Sequence, residues 1–239
     1  MSTSDWAHFW ENERQSFNTV MKIATTYFAS EIEKKFQLNS TSKILDYGCG
    51  PGFLIDYLAT KEISITGADI NQFYIEECKK NHPGSLFLHI TTDLELNKKI
   101  LKDKLNLEKS DFIILLSISQ YLKSVVELEE IIKMLRFYLK DEGKIIIADV
   151  LDHHTSSISD AGSLFFHCMK KNELMAFFRF ISYLFFSNYR KISMNAHLLK
   201  ISEQSIHQIA RDNFLNYENI KGLTIHSSRT SYILSKKHI

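Results

Sequence analysis

Five short apolar runs, each separated from the next by a longer stretch of helical pattern, set the fold class of this chain of 239 residues. They lie at residues 43–46, 63–69, 86–90, 112–116 and 144–150. The runs are apolar on both faces rather than alternating, which is the mark of parallel strands covered by helices on each side. Between the last two, Leu128, Ile131, Ile132, Leu135 and Leu139 fall on one helical face. Residues 6–36 also read as helix, with Phe17, Val20, Met21, Ala24 and Phe28 on one side. Near the C-terminus Ser202 is placed to cap a helix ending near Asp212, and two strand-like runs, about 217–226 and 230–235, are close enough to pair as a hairpin.

Composition removes several classes of function. Hydrophobic residues make up 44% of the chain and charged residues 24%, enough for a packed core. Lys plus Arg is 29 against 28 for Asp plus Glu, so there is no basic footprint for a nucleic acid, and a small-molecule or protein partner is expected instead. Cys49, Cys78 and Cys168 are odd in number and lack metal-ligand spacing, which points to a reducing compartment and to no metal site. The N-terminus carries no secretory pattern and no uncharged apolar run is long enough to span a bilayer. A cytoplasmic protein without a transmembrane segment is therefore expected.

The chemistry concentrates after the first strand, in Leu45-Asp-Tyr-Gly-Cys-Gly-Pro-Gly52. Glycines 48, 50 and 52 clear side chains from one side of the turn, so a ligand can lie against backbone near the amide groups of the next helix. Dinucleotide folds space their glycines G-x-G-x-x-G; here the third glycine comes one residue early and Phe53 takes its place. Asp69 ends the second strand 17 residues after Gly52, where a carboxylate can accept hydrogen bonds from ribose hydroxyls. Thr91-Thr-Asp93-Leu94 puts a second acid at the carboxyl end of the third strand.

Taken together these blocks resemble the class I S-adenosylmethionine-dependent methyltransferases. The glycine loop is similar to the family's first signature, and Gly67-Ala-Asp69-Ile70, Thr92-Asp93-Leu94, Asp111-Phe-Ile-Ile-Leu115 and Asp141-Glu-Gly143 match later blocks in order and spacing. The resemblance covers residues 40–150 and 200–237. It implies a Rossmann-like α/β fold: a seven-stranded, mostly parallel sheet with an antiparallel last strand and a helical substrate cap. It implies S-adenosyl-L-methionine as cofactor and S-adenosyl-L-homocysteine as product. Carried over by position, Gly48, Gly50 and Gly52 cradle the methionine part, Asp46 takes the amino group directly or through water, and Asp69 with Ile70 holds the ribose. Asp93 with Leu94 meets adenine, and Ser117 lines the sulfonium end. Asn213 stands where the family has glycine; asparagine tolerates a left-handed backbone, so a helix end there remains sensible.

A single methyltransferase domain is expected over residues 1–239. It divides into an N-terminal helical lid (1–36), a cofactor-binding core (40–150), an aromatic-rich cap (151–200) and a closing helix with hairpin (201–239). Residues 163–189 read as helix and hold seven of the 17 phenylalanines, Phe165 and Phe166 among them. They offer a substrate lid or a homodimer face. Trp6 and Trp10 on the first helix, and Gln120 and Tyr121 after the fourth strand, are the other candidate substrate contacts. His153 and His154 follow the fifth strand and are candidate proton acceptors. The expected activity is methylation of a small apolar or aromatic metabolite on oxygen in a biosynthetic pathway. Alternatives are N- or C-methylation, for example of a quinone ring, a cofactor-binding subunit without catalysis, and, disfavoured by the glycine spacing, an NAD-linked oxidoreductase.

Overall fold

The structure is a computed structural model that describes residues 4–12, 17–186, 192 and 197–237. Two helices, α1 (Ser4–Asn12) and α2 (Asn18–Phe36), precede the sheet, where the sequence pattern predicts one helix over 6–36. Strand and helix then alternate through β1 (Lys43–Tyr47), α3 (Phe53–Ala59), β2 (Ser64–Asp69), α4 (Gln72–Asn81), β3 (Leu86–His89), α5 (Leu94–Leu105), β4 (Ser110–Leu116), α6 (Val125–Leu135) and β5 (Leu139–Val150). Two further helices follow, α7 (Ser157–Lys170) and α8 (Leu174–Phe186), and the chain closes with α9 (Glu203–Asp212), β6 (Leu215–Ile220) and β7 (Thr230–Lys236). The strands form one sheet in the order β3-β2-β1-β4-β5-β7-β6, with only β7 running against its neighbours.

Side chains alternate across each strand, so one run supplies two cores. Leu45, Ile113, Ile145 and Ile147 point to the face covered by α6, through Leu128, Ile131 and Ile132, and by α9, through Ile206 and Ile209. Ile44, Ile114, Ile146 and Ala148 point to the opposite face, where α2 contributes Phe28 and Ile32, α3 contributes Leu54, Ile55 and Leu58, and α4 contributes Ile75. A strand buried on both sides needs apolar residues at both parities, which is why these runs read as continuous.

Several boundaries differ from the sequence pattern for local reasons. The aromatic segment is two helices, because the chain turns at Asn172, whose φ is 57°. Residues 187–191 and 193–196 of the cap lie outside the described residues. Ser202 caps α9 by accepting from the Ser205 amide at 3.1 Å. The left-handed residue after α9 is Phe214, with φ 53°, not Asn213, whose φ is −104°. Asn213 instead donates through Nδ2 to the Ile209 carbonyl at 2.9 Å. The strand expected at 217–226 ends at Ile220, so residues 221–229 are a loop. Since β6 runs parallel to β1–β5, that loop lies at the same edge of the sheet as the carboxyl ends of those strands.

Candidate active site

Open parallel sheets bind ligands beyond the carboxyl ends of their strands, where the strand order reverses. Here the reversal falls between β1 and β4, and a cavity of about 340 Å³ opens at that edge. The glycine loop forms its floor. At Gly48, with φ 92°, an added Cβ would lie 2.5 Å from Ile118 Cγ2. At Gly52, with φ 83°, it would lie 2.7 Å from Cys78 Sγ. Both glycines are thus required by conformation and by close approach together.

Asp69 organises this floor. Its Oδ2 accepts from the Gly50 amide at 2.7 Å and its Oδ1 from the Asn71 amide at 2.8 Å. Burial pushes its carboxyl up, opposed by those amide hydrogen bonds. Asp46 faces the same cavity from β1, and burial, reinforced by the nearby Asp69, pushes its carboxyl up to about 8. An acid held protonated by burial is poised to ionise when a cation binds beside it. Ile70, Leu94 and Ser117 line the cavity as well. Asp93 is placed differently: it is exposed and its Oδ1 accepts from the Glu95 and Leu96 amides, capping α5, while Thr91 and Thr92 of the same loop line the cavity.

The opposite wall is aromatic. Trp10, Phe17, Tyr121, Phe180 and Leu184 line it. Trp10 and Tyr121 pack with ring centroids 5.1 Å apart, and Trp6 is buried behind them against Tyr121 at 5.2 Å rather than lining the cavity. The end of α1 is tied down where Asn71 Nδ2 donates to the Trp10 carbonyl at 2.6 Å. Gln120 lines the cavity too, its Nε2 donating to the Ser117 carbonyl at 2.8 Å. Gln120 Oε1 and Trp10 Nε1 are buried without a hydrogen-bond partner among the described residues, although both residues line the cavity. Such atoms cost about 1–3 kcal/mol each until a ligand or water pairs with them.

Phe165 and Phe166 do not reach the cavity. The buried face of α7 runs through Asp160, Leu164 and Cys168, leaving Phe165 against Phe177 and Phe166 against Lys170 toward solvent. The cap meets the cavity through α8 instead, at Phe180 and Leu184.

The histidines after β5 also require correction. His153 and His154 are exposed and do not line the cavity. The turn that carries them is closed by Asp152, whose Oδ1 accepts from the His154 amide at 2.7 Å and from Thr155 Oγ1 at 3.1 Å, and this closure directs both residues outward. The histidine that does line the cavity is His226, from the β6–β7 loop. Its Nδ1 lies 2.8 Å from Asp149 Oδ1, and Arg229 Nη1 lies 2.6 Å from Asp149 Oδ2. Ser117 Oγ donates to the same Oδ2 at 2.7 Å. Burial pushes the Asp149 carboxyl up, but Arg229, His226 and Ser117 together hold it well below the usual carboxylate range. Ser117 and Asp149 end adjacent strands with φ of 57° and 66°, left-handed values costly for non-glycine residues.

A doubly covered α/β sheet with a glycine-floored, acid-lined cavity at its switch point defines an enzyme for a nucleoside-bearing small ligand. Comparison with protein families matches residues 38–213 to the methyltransferase domain. The chain belongs to this family and is an S-adenosylmethionine-dependent methyltransferase of class I, Rossmann-like type. Among curated proteins no significant match was found. Solved structures share the fold at low identity. A TehB-like S-adenosylmethionine-dependent methyltransferase from Corynebacterium glutamicum is 15% identical with a TM-score of 0.55, over 88% of each chain. DesVI from Streptomyces venezuelae is 13% identical with a TM-score of 0.56, over 88% of this chain and 92% of that one. Magnesium protoporphyrin IX methyltransferase from Synechocystis, solved with bound S-adenosylmethionine, is 13% identical with a TM-score of 0.55, over 98% and 90%. Among the described residues no helix is long and apolar enough to cross a membrane.

Proposed function

We propose that the protein methylates the oxygen of a small apolar or aromatic metabolite. The observation that carries this reading is the continuity of one cavity from the glycine floor and Asp69 to the aromatic wall of Trp10, Phe17, Tyr121 and Phe180. The residues present fit the cofactor: the positive-φ turns at Gly48, Gly50 and Gly52 bring loop backbone to the cavity beside Asp46 and Asp69, and Gln120 Oε1 and Trp10 Nε1, in residues of its lining, lack a partner among the described residues. When bound, the cofactor supplies an electrophilic methyl group on a sulfonium. Asp69 would hold the ribose, Asp46 the amino group, Thr91, Thr92 and Leu94 the adenine edge, and Ser117 the region beside the sulfonium. Helix α1 would act as a lid that excludes water, and the aromatic wall would orient the acceptor. Holding two reactants in line and dry supplies much of the acceleration of such a displacement.

Two outcomes are expected. Calorimetry should give micromolar or tighter binding of S-adenosylhomocysteine and no heat with NAD; the reverse pattern would overturn the reading. If α1 is a lid latched by Asn71, Asn71→Ser keeps a capping side chain for α4 but loses the donor to the Trp10 carbonyl. One hydrogen bond of that kind contributes about 1 kcal/mol, so the S-adenosylhomocysteine off-rate should rise roughly 2–10-fold. Stopped-flow chase measures it, and an unchanged off-rate would remove the latch.

A further inference from the structure

We infer that His226, oriented by Asp149, takes the proton from the reacting hydroxyl, and that the acceptor is a phenol-like molecule bounded by Trp10, Tyr121 and Phe180. The inference deepens the methyltransferase reading above and rests on it. Asp149 is an anion and accepts only, so the hydrogen bond at 2.8 Å places the His226 proton on Nδ1. In the neutral ring Nε2 then carries the lone pair, and it makes no hydrogen bond to the described residues, while His226 lines the cavity. An imidazole whose tautomer is set by a buried carboxylate is the arrangement that general-base chemistry requires. Asp149 is in this account a positioning residue: it orients the ring and balances the imidazolium.

The charge around the ring suits proton transfer from a hydroxyl to His226. Arg229 lines the same cavity and is itself fixed by Asp149 at 2.6 Å and Asp160 at 2.7 Å. Two carboxylates face the one guanidinium they hold, so the cluster is net anionic and favours the imidazolium that proton uptake by His226 creates. Asp149 on β5 and His167 on α7 are the other titratable groups beside His226, and Asp160 on α7 and Tyr121 after β4 lie beside Arg229. In the transfer, the acceptor oxygen bonds to the methyl carbon as the carbon–sulfur bond breaks and its electron pair stays on sulfur. The hydroxyl proton passes to His226 Nε2 and later leaves to water, so charge and atoms balance.

The test uses the full chain saturated with S-adenosylhomocysteine and 4-nitrophenol as probe, whose phenolate absorbs visible light. His226→Asn keeps an amide donor for Asp149 but has nothing at the Nε2 position. The parent should ionise bound 4-nitrophenol at lower pH than free solution does, while His226→Asn should bind the probe and cofactor product but leave the phenol protonated. With S-adenosylmethionine and substituted phenols, His226→Asn should lose roughly 10²–10⁴-fold in kcat on weakly acidic phenols and progressively less as acidity rises. Ionisation of the probe by the variant as readily as by the parent, or an equal loss across the series, would overturn the base role. If His226→Asn fails to fold, His226→Gln is read the same way, with S-adenosylhomocysteine affinity as the folding control. A parent that binds S-adenosylhomocysteine but neither binds nor methylates any phenol overturns the acceptor class. A parent that does not bind S-adenosylhomocysteine overturns the reading beneath both.

Discussion

Asp46→Asn is expected to melt well above the parent at pH 8 while binding S-adenosylmethionine far more weakly. Asp46 is 2% exposed, and its carboxyl is pushed from 3.8 to about 8, first by burial and then by Asp69. Raised above its unfolded value, the group binds a proton in the folded state that the unfolded chain has already lost. Stability therefore falls as pH climbs from about 4 to about 8 and levels off above, at up to about 1.4 kcal/mol per pH unit. An amide of the same shape does not ionise, so Asp46→Asn should gain about 5 kcal/mol at pH 8 and almost nothing at pH 4. In a chain of this size that corresponds to a rise in Tm on the order of 10 °C at pH 8.

The same substitution removes the charge that would meet the cofactor's amino group. A hydrogen bond to a charged partner contributes about 1.5–3 kcal/mol, so affinity at pH 8 should fall roughly 10–150-fold. The pH dependence provides the sharper check. Because burial and Asp69 hold the Asp46 carboxyl protonated below about 8, binding an ammonium there must release a proton, and parent affinity should climb with pH up to that point. Calorimetry in buffers of different ionisation enthalpy should show close to one proton released by the parent near pH 7 and none by Asp46→Asn. Identical proton release by both would take Asp46 out of the amino-group site. A variant no more stable than the parent at pH 8 would mean that Asp46 ionises freely.

The parts of this site that are legible in the sequence are those written in one continuous segment. Asp46 and the three glycines follow a strand within a few residues, and Asp69 ends the next apolar run, so strand, turn and acid appear in order. What could not be read depended on direction or on distance along the chain. His153 and His154 occupy the predicted place after β5, but the hydrogen bonds of Asp152 turn them outward. Phe165 and Phe166 stand out in the sequence as aromatic, whereas the spacing of Asp160, Leu164 and Cys168 marks the other face of α7 as the buried one. His226 and Arg229 meet Asp149 from 77 and 80 residues away, and no local pattern announces that pairing. One signal was present: a terminal hairpin whose first strand is parallel to the rest must put its loop at the cofactor edge, and His226-Ser-Ser-Arg229 lies in that loop. Extending β6 to residue 226 concealed it, because Leu223 and Ile225 continue an apolar alternation although they pack against the helices of the lid side from a loop.

Asp69→Ala is expected to lower cofactor affinity more than any other single truncation on the floor, because Asp69 works in two directions at once. Toward the protein it fixes the Gly50 amide at 2.7 Å and the Asn71 amide at 2.8 Å, and so sets both the glycine loop and the start of α4. Toward the cavity each carboxylate oxygen keeps a lone pair for a ribose hydroxyl. Alanine removes two hydrogen bonds to a charged acceptor, about 3–5 kcal/mol in all, or several hundredfold in Kd before any loosening of the loop is counted. Asp69→Asn separates the two roles. The amide oxygen can still accept from one backbone N–H, but its nitrogen meets the second N–H donor unfavourably, so loop order suffers while one ribose contact survives. The expected ranking of affinity for S-adenosylhomocysteine is parent, then Asp69→Asn, then Asp69→Ala. Adenosine separates the ribose contact from the methionine part, since it keeps both hydroxyls and lacks the amino acid. It should lose nearly the same factor in Asp69→Ala as the full ligand does, whereas Asp46→Asn should leave adenosine binding untouched. If adenosine binds Asp69→Ala as well as it binds the parent, Asp69 supports the loop alone and the ribose is held elsewhere.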